Sequence, residues 1–213
     1  MSESTETTRS TYNLVAREYY DRRKDRSELD PLIEHFVGQV SQDALVLDVG
    51  CGPGFESNTL RKRRLRVVNF DLSLSMLRVD GENHPGARVL GDMRCLPFVR
   101  SSFDAIWSCA SLLHLRRSDL PAALNSFRMT LEDGGILFTS VKRGEGEETH
   151  SRPFGQPRFF TYWQDEPFDK LLIEAGFRIE TTGPYSDPKH PWLHRIARKV
   201  QTFAGQKAQM LVS

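Results

Sequence analysis

The chain has 213 residues, 38% of them hydrophobic, with 29 basic and 28 acidic side chains. That is enough to bury one full core but not two large ones, and the net charge of +1 lacks the basic excess expected of a protein whose main ligand is a long nucleic acid. No apolar run approaches the roughly 20 residues of a membrane helix, and residues 1–9 are polar and acidic, so the reading is a single cytoplasmic domain, 1–213, without a membrane partner.

Residues 1–10 are rich in Ser, Thr and Glu and show no apolar period; they are expected to be disordered. An N-terminal helical cover is expected over 11–42. Its first helix carries Tyr12, Val15, Ala16, Tyr19 and Tyr20 along one stripe, and its second has Asp30 as N-cap, Pro31 at the first helical position and Leu32, Ile33, Phe36 and Val37 on its apolar face. A β-rich run from Ala44 to Val49 then enters a turn with glycines at alternate positions, Gly50, Gly52 and Gly54, and a helix follows from Glu56. Strand, glycine turn and helix make a ligand cradle: the backbone bends sharply, a ligand can lie against it, and the helix start offers unpaired N–H groups.

The next strand, Val67 to Phe70, ends at Asp71, about twenty residues beyond the first glycine, where dinucleotide sites place a carboxylate on a ribose. A helix from Ser73 through Leu77, a turn at Asn83, His84, Pro85 and Gly86, and a short strand from Ala87 to Leu90 lead to Asp92. The apolar run from Phe103 to Cys109 is a fourth strand, followed by a helix starting at Asp119 and Pro121, a turn at Glu132 to Gly135, and a buried-type strand from Ile136 to Val141. The stretch 142–157 has no periodicity and reads as a lid, delivering the aromatic cluster Phe159, Phe160, Tyr162 and Trp163; the lid and acceptor-side insertion spans 142–163. A helix from Asp165 closed by Gly176, a strand from Phe177, turns at Gly183-Pro184 and Asp187-Pro188, and a last strand from Trp192 to Lys199 complete the domain, leaving 201–213 as a tail. Alternation of strands and helices predicts an α/β fold with a mostly parallel sheet covered on both faces.

Cys51, Cys95 and Cys109 are odd in number and form no Cys-x-x-Cys pair, which argues for a reducing compartment and against a disulfide framework or a cysteine-built metal site; no metal is expected. The one basic run, Arg61, Lys62, Arg63, Arg64 and Arg66, reads as the solvated end of a helix, with an RNA-binding patch as the alternative.

The glycine turn at 46–54, Asp71 followed by Leu72 and Met76, the Gly91-Asp92-Met93 step, Phe103-Asp104 leading to His114, and the Gly134-Gly135 turn stand in one order. Together they resemble the class I S-adenosylmethionine-dependent methyltransferases. The resemblance implies a Rossmann-like seven-stranded sheet of order 3-2-1-4-5-7-6 with the last strand antiparallel. It also implies roles: Gly50, Gly52 and Gly54 against the methionine and ribose part of S-adenosylmethionine, Asp48 on its ammonium, and Asp71 on the ribose hydroxyls. Leu72 and Met76 would lie against the adenine, with Asp92 and Met93 at the adenine edge, Tyr12 and Tyr19 over the carboxylate, and the Ser108-Cys109 backbone beside the amino group. The product would be S-adenosylhomocysteine. Arg64 and Asn69 depart from the pattern, standing where relatives have small residues. A carboxylate-lined site suits a sulfonium and ammonium better than a pyrophosphate, and Phe55 occupies the third-glycine position that a nicotinamide-dependent dehydrogenase expects.

The expected reaction is in-line methyl transfer to a nucleophilic N, O or S atom of a small-molecule acceptor, with RNA or protein methylation, or a non-catalytic cofactor-binding subunit, as alternatives. His114 is the candidate general base, with a structural hydrogen-bonding role as the other reading. Arg158 and Tyr162 are the polar candidates for acceptor binding; His150 and Arg152 belong to the lid, and Phe159 and Trp163 to the core.

Overall fold

The computed structural model describes residues 2–182 and 191–201. Strands β1 (Leu45–Val49), β2 (Arg66–Asp71), β3 (Ala87–Leu90), β4 (Phe103–Ser108) and β5 (Leu131–Arg143) form a parallel sheet in the order β3-β2-β1-β4-β5. On the far side of β5, the strand Trp192–Lys199 runs antiparallel to both β5 and the strand Phe177–Thr181. Counting those two as the sixth and seventh strands of the core gives the order 3-2-1-4-5-7-6 that the resemblance implies, with one antiparallel member.

Two further strands raise the sheet to nine. They are β6 (Glu147–His150) and β7 (Arg158–Trp163); with them in chain order, Phe177–Thr181 is β8 and Trp192–Lys199 is β9. β7 joins β5 in parallel through Lys142 and Arg143, and β6 pairs antiparallel with β7, so the pair extends beyond the C-terminal end of β4. The unpatterned lid expected over 142–157 is therefore corrected: β5 continues to Arg143, and part of the remainder is an edge strand. Glu147, Glu148 and Thr149 are exposed, so backbone pairing forms this strand without the apolar alternation that would announce it. The expected turn at Glu132 to Gly135 likewise lies inside β5, where Gly134 (φ +79°) accompanies a register shift against β4.

Disorder over 1–10 is also corrected. Helix α1 runs Glu3–Arg23, with Ser2 as N-cap accepting from Thr5 N–H and with Glu3 and Glu6 in the first turn, where the helix dipole favours acids. Its buried face consists of Ser4, Thr5, Thr8 and Thr11 before Val15 and Ala16. Small hydroxylated residues leave no hydrophobic period, but they pair with β7 and the residue before it: Phe159 N–H donates to Thr8 Oγ1 at 3.0 Å, and Thr11 Oγ1 donates to the Pro157 carbonyl at 2.5 Å. In helix α2 (Asp30–Val37), Asp30 is the first helical residue rather than the N-cap, and Leu29 holds that place.

The remaining helices are α3 (Phe55–Lys62), α4 (Leu74–Asn83), α5 (Leu120–Thr130) and α6 (Asp165–Glu174). Strand alternation splits the core between the two faces of the sheet. Leu47, Val49, Ile106 and Leu137 pack with Phe127 and Phe168, while Val46, Trp107 and Phe138 pack with Phe36 and Leu60. Trp107 and Phe138 stack at 3.8 Å between centroids, with Phe36 edge-on to Trp107. Asn69, fully buried, has a positive role: its Nδ2 donates to Asp80 at 2.9 Å and its Oδ1 accepts from Arg61, tying β2 to α3 and α4. The turns at Gly183-Pro184 and Asp187-Pro188 and the tail from 202 onward lie outside the described residues.

Candidate active site

The chain leaves β1 toward β2 and β3 and then returns to the other side of β1 as β4, so the strand order reverses between β1 and β4. Open α/β sheets bind ligands outside the carboxyl ends of the strands at such a point. Gly50, Gly52 and Gly54 all have positive φ, at +75°, +52° and +81°. They do different work. A Cβ on Gly50 would lie 2.3 Å from Ser111 Cβ, and one on Gly54, the left-handed N-cap of α3, would lie 1.9 Å from Asp80 Oδ1. Only at Gly52 would it meet nothing within 4 Å, so Gly52 is the glycine that keeps the cradle open. Gly50 and Gly52 line the cavity above the turn; Gly54 does not, because it packs against α4 instead.

Asp71 ends β2 at the rim of this cavity, and one oxygen accepts from Gly52 N–H at 2.8 Å while the other accepts from Ser73 N–H at 2.7 Å. Burial pushes its pKa up against those two hydrogen bonds. The Leu72 N–H is a third backbone donor to this carboxylate. Leu72, Met76 and Met93 supply apolar walls. Asp92 also lines the cavity; burial alone would raise its pKa, but hydrogen bonds from Arg94 take it below the usual value, and Arg94 is shared with Asp119 at 2.8 Å.

Tyr12 and Tyr19, one face of α1, close the cavity from above, and Asn13 Oδ1 anchors the helix by accepting from Ser73 Oγ at 2.8 Å and Ser75 N–H at 3.1 Å. The same cavity contains Arg26 and Glu56, 2.7 Å apart, which the sequence reading passed over. Glu56 Oε1 faces Arg26 Nη2 and Arg26 Nε is buried without a hydrogen-bond partner among the described residues, so an unlike-charged pair lines the cavity where it could match a zwitterionic end of a ligand. Arg26 sits in a polar stretch with no period, and Glu56 reads as an ordinary acid in a helix's first turn. Neither carries a signal that composition or spacing could have found.

Three expected site residues stand elsewhere. Asp48 shares the β1 face of Val46, is 2% exposed and accepts from Ser57 Oγ. Burial, with Glu56 nearby, raises its pKa, and its side chain supports the turn without lining the cavity. Ser108 is fully buried and bonded to Ser111 Oγ at 2.7 Å, whereas its neighbour Cys109 does reach the cavity. Tyr162 lines neither this cavity nor the next; its hydroxyl donates to Glu148 at 2.6 Å across the β6–β7 hairpin.

A second, larger cavity of about 470 Å³ adjoins the first, and the two share Tyr12, Tyr19, Arg26, Cys109, Ala110 and His114. At this junction His114 Nδ1 lies 2.7 Å from the Phe159 carbonyl, which can only accept, so Nδ1 carries the ring proton. Nε2 then accepts from Tyr12 O–H at 2.8 Å, and Tyr12 in turn accepts from Arg158 Nη1 at 3.2 Å. Burial pushes the His114 pKa down to about 3, and the hydrogen bond to Phe159 does not recover it. His114 is thus a neutral ring with both nitrogens engaged, the arrangement of a structural hydrogen-bonding histidine at the junction. Burial also pushes the Cys109 thiol up to about 12, leaving it un-ionised. Arg158, 6% exposed, lines the second cavity with Arg152; Phe159 and Trp163 are core residues.

Comparison with known proteins agrees with this layout. The family described as a methyltransferase domain matches residues 47–139, from β1 through the middle of β5. Among curated relatives, the malonyl-[acyl-carrier protein] O-methyltransferase of Erwinia pyrifoliae is 38% identical over 105 residues, 48% of this chain and 39% of that one. The chain spans well under two thirds of the length of the curated relatives it matches. Among solved structures, a Burkholderia thailandensis 1,6-didemethyltoxoflavin-N1-methyltransferase, with 1,6-didemethyltoxoflavin and S-adenosylhomocysteine bound, superimposes with TM-score 0.75 at 20% identity, covering 94% of this chain and 92% of that one. The [4+2]-cyclase SpnF does so with TM-score 0.73 at 20% identity, covering 93% and 97%. With the sheet order, the glycine turn and the Asp71 carboxylate in the positions described, the chain has the fold of these proteins and is similar, over residues 47–139, to the methyltransferase-domain family.

Proposed function

We propose that this chain transfers the methyl group of S-adenosylmethionine to a nucleophilic N, O or S atom of a small molecule held in the second cavity. The observation that carries the reading is the junction at Tyr12, Cys109 and His114, where a carboxylate-bearing glycine cradle opens directly into the second cavity. The residues of the cradle suit the cofactor. Asp71 offers two acceptor oxygens for a ribose diol, Gly52 leaves room for it, Leu72 and Met76 give a surface for adenine, and Arg26 with Glu56 complements a carboxylate and an ammonium. Asp92 and Met93, which line the same cavity, are available to the adenine edge. The bound cofactor supplies an electrophilic methyl group on a cationic sulfur.

The chain's own contribution is placement and exclusion of water. Tyr12, Cys109 and His114 line the junction and offer no free base: His114 is a very weak one, its lone pair is taken by Tyr12, and the Tyr12 hydroxyl is itself raised in pKa by burial. An acceptor atom already nucleophilic as bound needs no more than alignment with the methyl group, which can supply much of the acceleration. Helix α1 and β7 cover the junction through the Thr8 and Thr11 hydrogen bonds and keep water from it.

Against nucleic acid as acceptor stands the fate of the basic run. Arg61 bonds to the Val67 carbonyl and Asn69, Arg63 to Glu34 at 2.5 Å, and Arg66 to the Asp43 carbonyl at 3.0 Å. No helix among the described residues is long and apolar enough to cross a membrane. Incubation of the chain with methyl-labelled S-adenosylmethionine and fractionated small metabolites tests the proposal. Label appearing in a metabolite with release of S-adenosylhomocysteine is the expected result; label appearing only in RNA or protein, or no turnover with intact cofactor binding, would replace it with one of the alternatives.

A further inference from the structure

The second cavity has a lopsided charge. Arg23, Lys142, Arg152 and Arg158 line it, and among the described residues none of the four has a carboxylate at ion-pair distance; Arg26, also on its wall, is matched by Glu56. Glu28 is the one acidic side chain in the lining. Arg23 and Arg152 are exposed at the rim, whereas Arg158 and Lys142 are drawn out of solvent. Arg158 is 6% exposed and spends its hydrogen bonds on neutral oxygens, Tyr12 Oη and the Arg152 carbonyl, while its Nε is buried without a hydrogen-bond partner among the described residues. Lys142, at the C-terminal end of β5, sits 4.7 Å from the centre of the Phe160 ring, and burial together with the nearby Arg158 charge lowers its pKa. Two like charges, Lys142 and Arg158, partly desolvated and held against one aromatic-lined volume, are costly to keep unless a ligand of opposite charge completes the site.

Resting on the methyltransferase reading above, we propose that the acceptor is a small organic anion: an apolar or aromatic body that lies against Phe154 and Phe160 and ends in a carboxylate or phosphate held by Lys142 and Arg158, with Arg152 beside them. Arg158 then has two tasks. It donates to Tyr12, which fixes the junction, and it presents its remaining N–H groups to the anion in the fork geometry that suits carboxylate and phosphate oxygens. Lys142 supplies a point charge. The anionic group anchors one end of the acceptor and so sets which atom reaches the junction at Tyr12 and His114.

Ligand-observed NMR titrations of the full chain with phenylacetate, phenylacetamide and phenyl phosphate, each with and without saturating S-adenosylhomocysteine and at two salt concentrations, test this. At least one of the two anions is expected to bind about tenfold or more tightly than the amide, with the gap shrinking at high salt and in Lys142→Met. Preference for phenylacetate assigns a carboxylate, and preference for phenyl phosphate assigns a phosphate. S-adenosylhomocysteine affinity in Lys142→Met should match that of the wild type, which shows that the variant is folded; Arg152→Gln serves as a second variant. Equal binding of amide and anions, failure of both anions to bind, or an unchanged preference in both variants overturns the proposal. Loss of S-adenosylhomocysteine binding by the wild type would sink the cofactor reading instead, and the anion-against-amide comparison without cofactor would still decide this one.

Discussion

The two cavities that meet at Tyr12 are built by different means. The cofactor-side cavity is made chiefly from short consecutive segments at the ends of β1, β2 and β4, where the backbone itself is the binding surface: Gly52 and Ser73 N–H groups hold Asp71, and glycine conformations shape the floor. The second cavity adds side chains from separate segments of the chain. Tyr12 from α1, His114 from the turn after β4 and Arg158 from β7 are joined by side-chain hydrogen bonds. A shared fold thus fixes the first by backbone, while the second depends on which side chains the appended elements bring. That difference fits a fold whose structural neighbours include a methyltransferase and a [4+2]-cyclase.

The sharpest way to break this contrast is within the glycine turn. Gly50→Ala should act on stability, since its methyl group meets Ser111 Cβ and its φ is positive; a loss of about 1–3 kcal/mol in denaturant unfolding is expected. Gly52→Ala meets no atom, so it should cost only about 1–2 kcal/mol of backbone strain while weakening S-adenosylhomocysteine binding more than Gly50→Ala weakens it per unit of lost stability. Equal behaviour of the two would mean that the cradle is not open at Gly52.

On the other side, Tyr12→Phe removes the donor to His114 Nε2 and the acceptor for Arg158. Leaving a buried acceptor unpaired costs about 1–3 kcal/mol, and thermal unfolding should register it, together with a rise in the KM for the acceptor. A stability equal to wild type would show that the relay carries nothing.

His114 supplies a pH test. Its folded pKa, about 3, lies below its ordinary value of 6.5, so between those values the unfolded chain binds the extra proton and stability must fall as pH falls. The expected slope from this one group is at most about 1.4 kcal/mol per pH unit, present below pH 6.5 and absent above it. In His114→Asn the slope between pH 4 and 6.5 should flatten, and turnover should show no inflection near 6.5 that belongs to this residue. The smallest effect is expected from Tyr162→Phe, which removes a hydrogen bond on the exposed hairpin and should change stability by about 0.5 kcal/mol or less, leaving acceptor binding intact.

The same contrast explains what the sequence could reveal. Asp71, Met76, Asp92 and the glycine turn follow strand ends in fixed order, so local pattern places them at the crevice. Asp48 shows the limit of that logic: its position in the motif is as expected, but strand alternation turns its side chain toward Ser57 and away from the cavity. The part of α1 before residue 11 escaped because threonines and serines bury themselves by hydrogen bonding, which leaves no hydrophobic period, and β6 because an edge strand of exposed Glu and Thr needs no apolar face. Arg26 and Glu56 become visible as a pair only when the chain is folded, since 30 positions separate them and neither is unusual locally.

Calorimetric titration of S-adenosylhomocysteine into the wild-type chain and into Asp71→Ala tests the account at its centre. Asp71 lines the cofactor-side cavity without a cationic side-chain partner among the described residues, so its replacement should weaken binding by about tenfold or more, about 1.4 kcal/mol, with the circular dichroism of the fold preserved. The same affinity in both proteins would contradict the assignment of this crevice to the cofactor.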